Sequence, residues 1–515
     1  MSRADRLALL LSLLAILAAY LVAERVFERM PHIEDEIAYV WQAQAIAGGR
    51  LSVPTPAHPH SFLVPFVVDY NGQRFGKYPL GWPAALAVGV FFGAREWVNP
   101  LLAGLGVWLT YLLGKRLFGQ PVGLLAALLT LTSPFFLMNS GSLLSHPFGL
   151  VLSAAFALAW LDSWNPASSR PSDPSRERAG KLATITAALA LGLLAFTRPL
   201  TTLGVLLPFL PHAVVLWFRG GLLARRRLLA LALIALGMSS LIFVWQWAVT
   251  GDAWLSPYTL WWDYDKVGFG PGVGVLEEGH TLRQARINTQ HSLWVGWHDY
   301  FGWGGYSWIF LPFGALALLR LRLAKALPVF LVFPSLVVIY LAYWIGSSLF
   351  GPRYFYEGLY SLTLASAAGI AFLAGWPIRP GEPWQDWTGW RRARPLLVTA
   401  LLGLLLSANL LFYTPIRLGG MFGLYGLSRA RLEPFHAAQA QGLNPALVIV
   451  HADRWMQYGS MLELMDPFLD TPFLVVISVG QGADAALAAD YPERRVFHYY
   501  PDEPWVFYQQ APASP

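Results

Sequence analysis

The chain has 515 residues, of which 56% are apolar and only 13% charged, with 23 Trp and no Cys. A soluble chain carries about a quarter charged residues, so several water-soluble domains, a disordered chain and a disulfide scaffold are all excluded. The formal net charge of +6 does not imply a nucleic-acid partner, because that charge must first be divided between the two sides of a membrane.

Eleven apolar stretches approach the roughly 17–25 residues that a helix needs to cross a bilayer. They are 7–23, 97–115, 121–139, 147–163, 181–197, 200–218, 228–249, 305–320, 327–347, 355–375 and 395–413. The first lacks a small-residue cleavage site and reads as an uncleaved anchor. Residues 80–94 form a twelfth apolar run, but counting it as a span would place Lys115, Arg116 and the Arg225–Arg227 run outside. Without it, 19 Lys and Arg face six acids on the inner side, and 17 face 24 outside. This is the distribution that the positive-inside rule expects. Residues 80–94 are therefore expected to lie along the outer leaflet. The amino terminus is placed in the cytoplasm and the carboxy terminus outside, in a cytoplasmic (inner) membrane.

That topology leaves three large outer pieces: 24–96, 250–304 and the tail from 414. Residues 165–180 read as a polar inner linker. The tail alternates β-rich runs (446–451, 473–479, 495–500) with helical patterns (454–466, 481–490). The expected fold is an all-α polytopic membrane protein of about 11 transmembrane helices with large outer loops. Residues 1–413 form its membrane domain, and 414–515 a small extracytoplasmic α/β domain.

Chemistry is expected at the outer face. His32-Ile33-Glu34-Asp35-Glu36 places three successive carboxylates just beyond the first span. Such a set can yield a base or hold a cation, and equally can favour a helix start through the macrodipole. Lys77, one of only five lysines, lies among aromatics and prolines in Phe75-Gly76-Lys77-Tyr78-Pro79. It can meet a lipid phosphate or simply snorkel to the interface. Arg353 and Arg198 stand at outer span ends, where Arg198 reads as a helix contact. Arg283 and Arg286 follow His280 on one helical face and suggest a basic lip.

The order of these segments carries a resemblance. An Asp-Glu pair follows the first span, then come GKYPLGWP (76–83), KRLFG (115–119) and GLLAALLTLTSPFFL (123–137). AFTRPLT (195–201), GDAWLSPYTLWWDYDKVGFG (251–270), Gly279-His280 and Gly351-Pro352-Arg353-Tyr354 complete the series. Over about 1–375 the chain resembles the GT-C membrane glycosyltransferases, in the branch of protein O-mannosyltransferases and aminoarabinose transferases.

The resemblance implies inverting transfer of one sugar from a polyprenyl-phosphate donor to an acceptor on a protein, lipid or glycan. It places the general base on Asp35, with Glu36 orienting it or the acceptor, and the donor phosphate on Lys77 and Arg353. Tyr78, His146, His280, Arg283 and Tyr354 are then expected to line the substrate site. Two departures bear on a divalent metal ion. Ser145-His146-Pro147 stands where relatives carry an acid, and Gly76 where some carry a metal-binding Glu. A metal set of His146, His280 and an acid stays open. The competing reading is a transporter or lipid flippase without transferase activity.

Overall fold

A computed structural model describes residues 1–164, 174–321, 326–383 and 393–512. Helix α1 (Arg3–Arg25) opens with a reciprocal cap: the Asp5 backbone N–H donates to Ser2 Oγ, and the Ser2 N–H donates to the Asp5 carboxylate. Its small residues Ala4, Ala8, Ser12, Ala15 and Ala19 are buried, whereas Leu7, Leu10, Leu13, Leu14, Leu17 and Leu21 point outward. The buried stripe packs on α4 (Val98–Leu117), where a Cβ on Gly104 would sit 2.5 Å from Ile16. Small residues inward and leucines outward is how helices pack in lipid, where close backbone approach replaces hydrophobic burial.

Among the described residues, seven helices are long and apolar enough to cross a membrane, or nine if two bent pairs each count as one span. All eleven predicted stretches are helical. Stretch 121–139 bends by 60° between Gln120–Leu131 and Pro134–Gly141. The Ser133-Pro134 step stops the first helix and starts the second, with Ser133 Oγ accepting from Phe136 N–H. Stretch 147–163 is an 18-residue helix, His146–Ser163. Stretch 327–347 is helical only to Ala342, and irregular chain continues to Pro352. Stretch 305–320 is preceded, at 98°, by a helix over Leu282–Asp299, which carries the Arg283 and Arg286 read as sharing a helical face.

Residues 80–94 contain only the 11-residue helix α3 (Gly81–Phe91), too short to span. It packs on α2 (Glu34–Ala47) and leaves Val88, Phe91 and Phe92 exposed. The rest of the 24–96 loop includes a small antiparallel sheet that the sequence did not announce. Its strands β1 (Val53–Pro54), β2 (Val67–Tyr70) and β3 (Gln73–Gly76) run in the order β1-β3-β2. The first nine residues of the predicted linker, 165–173, lie outside the described residues, as do Arg322, Lys325, Arg391 and Arg392.

The tail follows its predicted pattern: β4 (Ala446–Val450), β5 (Phe473–Ile477) and β6 (Arg495–Tyr499) form a parallel sheet ordered β5-β4-β6. A helix spans Gln481–Asp490, while 454–466 holds a short helix (Trp455–Tyr458) and a 3-10 turn. The sheet shares its core with the 24–96 loop. Phe62 packs among Leu447, Ile449, Leu474, Val476 and Leu487, and Trp455 and Leu462 pack on Ile37 and Trp41. Ile477 N–H donates to the Ser61 carbonyl at 2.8 Å, His58 pairs with Asp490 at 2.9 Å, and Arg95 pairs with Glu463.

Candidate active site

A cavity of about 640 Å³ lies between the 24–96 loop, the 250–304 loop and the irregular chain before Arg353. Its wall includes Glu34, Asp35, Lys77, Tyr78, Arg198, Asp265, Arg353, Tyr354 and Tyr425. Five of the predicted site residues, Asp35, Lys77, Tyr78, Arg353 and Tyr354, therefore meet in one space.

Successive residues on a helix are rotated by about 100°, so Asp35 and Glu36 at the start of α2 face different ways. Asp35 points into the cavity. The Tyr78 hydroxyl donates to its Oδ1 at 2.7 Å, and Arg353 Nη2 lies 3.4 Å from its Oδ2. Burial alone would push the Asp35 carboxyl up, but Arg353, the Tyr78 hydroxyl, Lys77 and Arg198 together hold it below its ordinary value.

Glu36 is a correction to the expected catalytic pair. It is fully buried and accepts backbone N–H bonds from His32 (2.8 Å), Ile33 (3.3 Å) and Leu143 (2.7 Å). It ties the start of α2 to the loop after Pro134–Gly141 and does not orient Asp35. Burial raises its carboxyl to about 7, against the pull of those three N–H groups.

Lys77 reaches the cavity from the end of β3, and its backbone N–H is held by the Phe66 carbonyl. Its ammonium sits 3.6 Å from the Phe66 ring centroid, within an aromatic cage completed by Trp262, Tyr258 and Tyr78. Asp265 pairs with it at 3.2 Å, both side chains being buried. Asp265 is fixed in turn by the Tyr343 hydroxyl (3.2 Å) and the Trp344 indole (3.1 Å). Burial lowers the Lys77 ammonium, and Asp265 and Asp35 oppose the shift.

Arg198 makes the expected contact between helices and also lines the cavity. It is clamped by Glu357 (3.0 Å), Ser145 Oγ (3.1 Å) and the Tyr340 hydroxyl (3.1 Å). Glu357, fully buried within a span, also pairs with His146 Nδ1 at 3.2 Å. Sequence reading missed both Glu357 and Asp265. Glu357 had a signal, since a carboxylate inside an apolar helix is costly unless partnered. Asp265 had none to separate it from Asp263.

His146, His280 and Arg283 do not line the cavity. His146 stands behind Arg198 through Glu357. His280 bonds the Leu341 carbonyl at 2.9 Å and stacks on Phe269, fastening the Gly-rich loop. Arg283 and Arg286 are exposed on the Leu282–Asp299 helix. The expected metal set is not assembled: His146 and His280 have separate partners, and no three His, Asp or Glu side chains converge on one point among the described residues.

No protein-family model and no curated protein sequence matches the chain. Solved structures do match its fold. ArnT from Cupriavidus metallidurans bound to undecaprenyl phosphate aligns with a TM-score of 0.58 and 14% identity, over 95% of this chain and 89% of that one. The same protein in the apo state gives 0.56 and 14%, over 96% and 90%. The apo oligosaccharyltransferase from Archaeoglobus fulgidus gives 0.51 and 13%, over 88% of this chain and 63% of that one.

The fold is therefore that of the GT-C membrane glycosyltransferases. Within that class, ArnT matches along nearly its whole length, in keeping with the resemblance to aminoarabinose transferases.

Proposed function

We propose that the protein is an inverting glycosyltransferase of the inner membrane. It moves a single sugar from a polyprenyl-phosphate donor to an acceptor hydroxyl at the outer face. The observation that carries this reading is the single cavity holding the Asp35 carboxylate beside the cations Lys77, Arg198 and Arg353. The shared fold with an ArnT structure that holds undecaprenyl phosphate supports it, as does the charge distribution that puts loops 24–96 and 250–304 outside.

In the proposed reaction the acceptor hydroxyl attacks the anomeric carbon as Asp35 takes its proton. The bond from that carbon to the phosphate oxygen breaks, and the electron pair leaves with the phosphate. Negative charge grows on the leaving group, where Lys77 and Arg353 meet it, with Arg198 held nearby by Glu357. Asp35 then releases its proton to water, and polyprenyl phosphate departs.

The test uses purified protein in lipid nanodiscs, given undecaprenyl-phosphate-linked hexoses and pentoses together with an envelope extract as acceptor source. Asp35→Asn should lose transfer by about 10²- to 10⁴-fold while binding undecaprenyl phosphate normally. Near-normal turnover in that variant overturns the assignment.

A further inference from the structure

Resting on the transferase reading, the inference concerns where the acceptor sits and what it is. Among the described residues of the tail, Tyr425 lines the cavity wall. Tyr425 is 43% exposed, and its backbone has φ 56°, between Gly423 at 63° and Gly426 at 73°. A non-glycine residue pays a steric penalty in the left-handed region, and such residues gather at ligand clamps. The turn holds the ring at the cavity wall. Trp455 backs it edge-on at 6.0 Å between centroids, and Trp455 is anchored by packing on the cluster of Ile37 and Trp41. Glu34 lines the same cavity as Asp35 and Arg353.

We propose that Glu34, Tyr425 and Arg353 form the acceptor subsite, and that the acceptor is a glycan whose terminal ring stacks on Tyr425. An exposed aromatic face flanked by a carboxylate and a guanidinium suits a vicinal diol. One hydroxyl donates to Glu34 and its neighbour accepts from Arg353. A cationic acceptor would gain from Glu34 but be repelled by Arg353. Because Glu34 and Asp35 both line this cavity, a ring bound there presents its next hydroxyl to the base. The tail thus supplies part of the acceptor's binding surface, fixed in place by its shared core with the 24–96 loop.

The test measures equilibrium binding to the full chain in nanodiscs of glucose, mannose and galactose trisaccharides and of a Ser/Thr-rich peptide, with undecaprenyl phosphate affinity measured in parallel. At least one trisaccharide should bind the wild type. Tyr425→Ala and Glu34→Gln should each weaken it by about tenfold or more, and Tyr425→Phe should restore it. Undecaprenyl phosphate affinity should stay within about twofold throughout, which also verifies folding. The proposal is overturned if no trisaccharide binds a wild type that binds undecaprenyl phosphate. Trisaccharide binding insensitive to both variants, or Tyr425-dependent binding of the peptide alone, overturns it as well. A wild type that fails to bind undecaprenyl phosphate fails the donor reading instead, and this proposal with it.

Discussion

Asp35 and Glu36 are chain neighbours with different fates, and helix rotation divides them. The Asp-Glu pair was legible in the sequence, but which carboxylate faced the cavity was not, because that depends on how α2 is docked. Glu36→Gln keeps one acceptor oxygen and turns an amide donor toward backbone N–H groups, so it should cost about 1–3 kcal/mol of stability. Thermal unfolding measures this. Glu36 also makes a pH prediction. Its carboxyl is raised from 4.5 to about 7 in the folded protein, so its contribution to stability is full below about pH 4.5 and is lost as pH rises through about 7. The wild-type unfolding midpoint should fall between pH 5 and 8, and Glu36→Gln should flatten that slope. Lys77 makes a second pH prediction. Removing its buried counter-ion with Asp265→Asn lowers the ammonium further. Undecaprenyl phosphate binding to that variant should then fade with rising pH earlier than in the wild type. Coincident binding profiles would show that Asp265 does not sustain the Lys77 charge.

Elements were legible where apolarity is continuous and illegible where the chain breaks to build the site. The eleven stretches were found because lipid-facing leucines leave a strong compositional trace. The Ser133-Pro134 bend, the irregular 343–352 segment and the β1-β3-β2 sheet leave little, since a few loop residues set each of them. The Gly-rich loop that carries Asp265 is the clearest such case. It is closed by hydrogen-bonded pairing of Gly270 with His280, and by His280 on the Leu341 carbonyl. Gly279 has φ 74°, and an added Cβ would lie 1.7 Å from the Gly270 carbonyl oxygen. Gly279→Ala should therefore displace the loop and weaken undecaprenyl phosphate binding by about tenfold or more, a loss that equilibrium binding would detect. His280→Ala should act in the same direction without shifting the pH profile of turnover. A shifted profile would instead give His280 a direct part in proton transfer.

For the whole molecule, net charge proved less informative than its distribution. The +6 follows from a basic inside and an acidic outside, and it encodes orientation in the proposed topology. The tail was legible as three strands and two helical patterns, but its dependence on the 24–96 loop was not, because Phe62 and Trp41 sit some four hundred residues away. Ending the chain at Tyr413 would expose Phe62, Ile37 and Trp41 and strip Arg95 of Glu463. The truncated protein should elute as aggregate on size exclusion rather than as a folded enzyme with reduced turnover; a monodisperse product with intact donor affinity would show the loop to be self-sufficient. Donor binding in the shared cavity is the central claim, and an experimental structure with undecaprenyl phosphate tests it most directly. The phosphate should lie within hydrogen-bond reach of Lys77 or Arg353, in the space that Asp35 faces. A phosphate bound elsewhere, with Asp35 and Lys77 still closed on Tyr78 and Asp265, would contradict it.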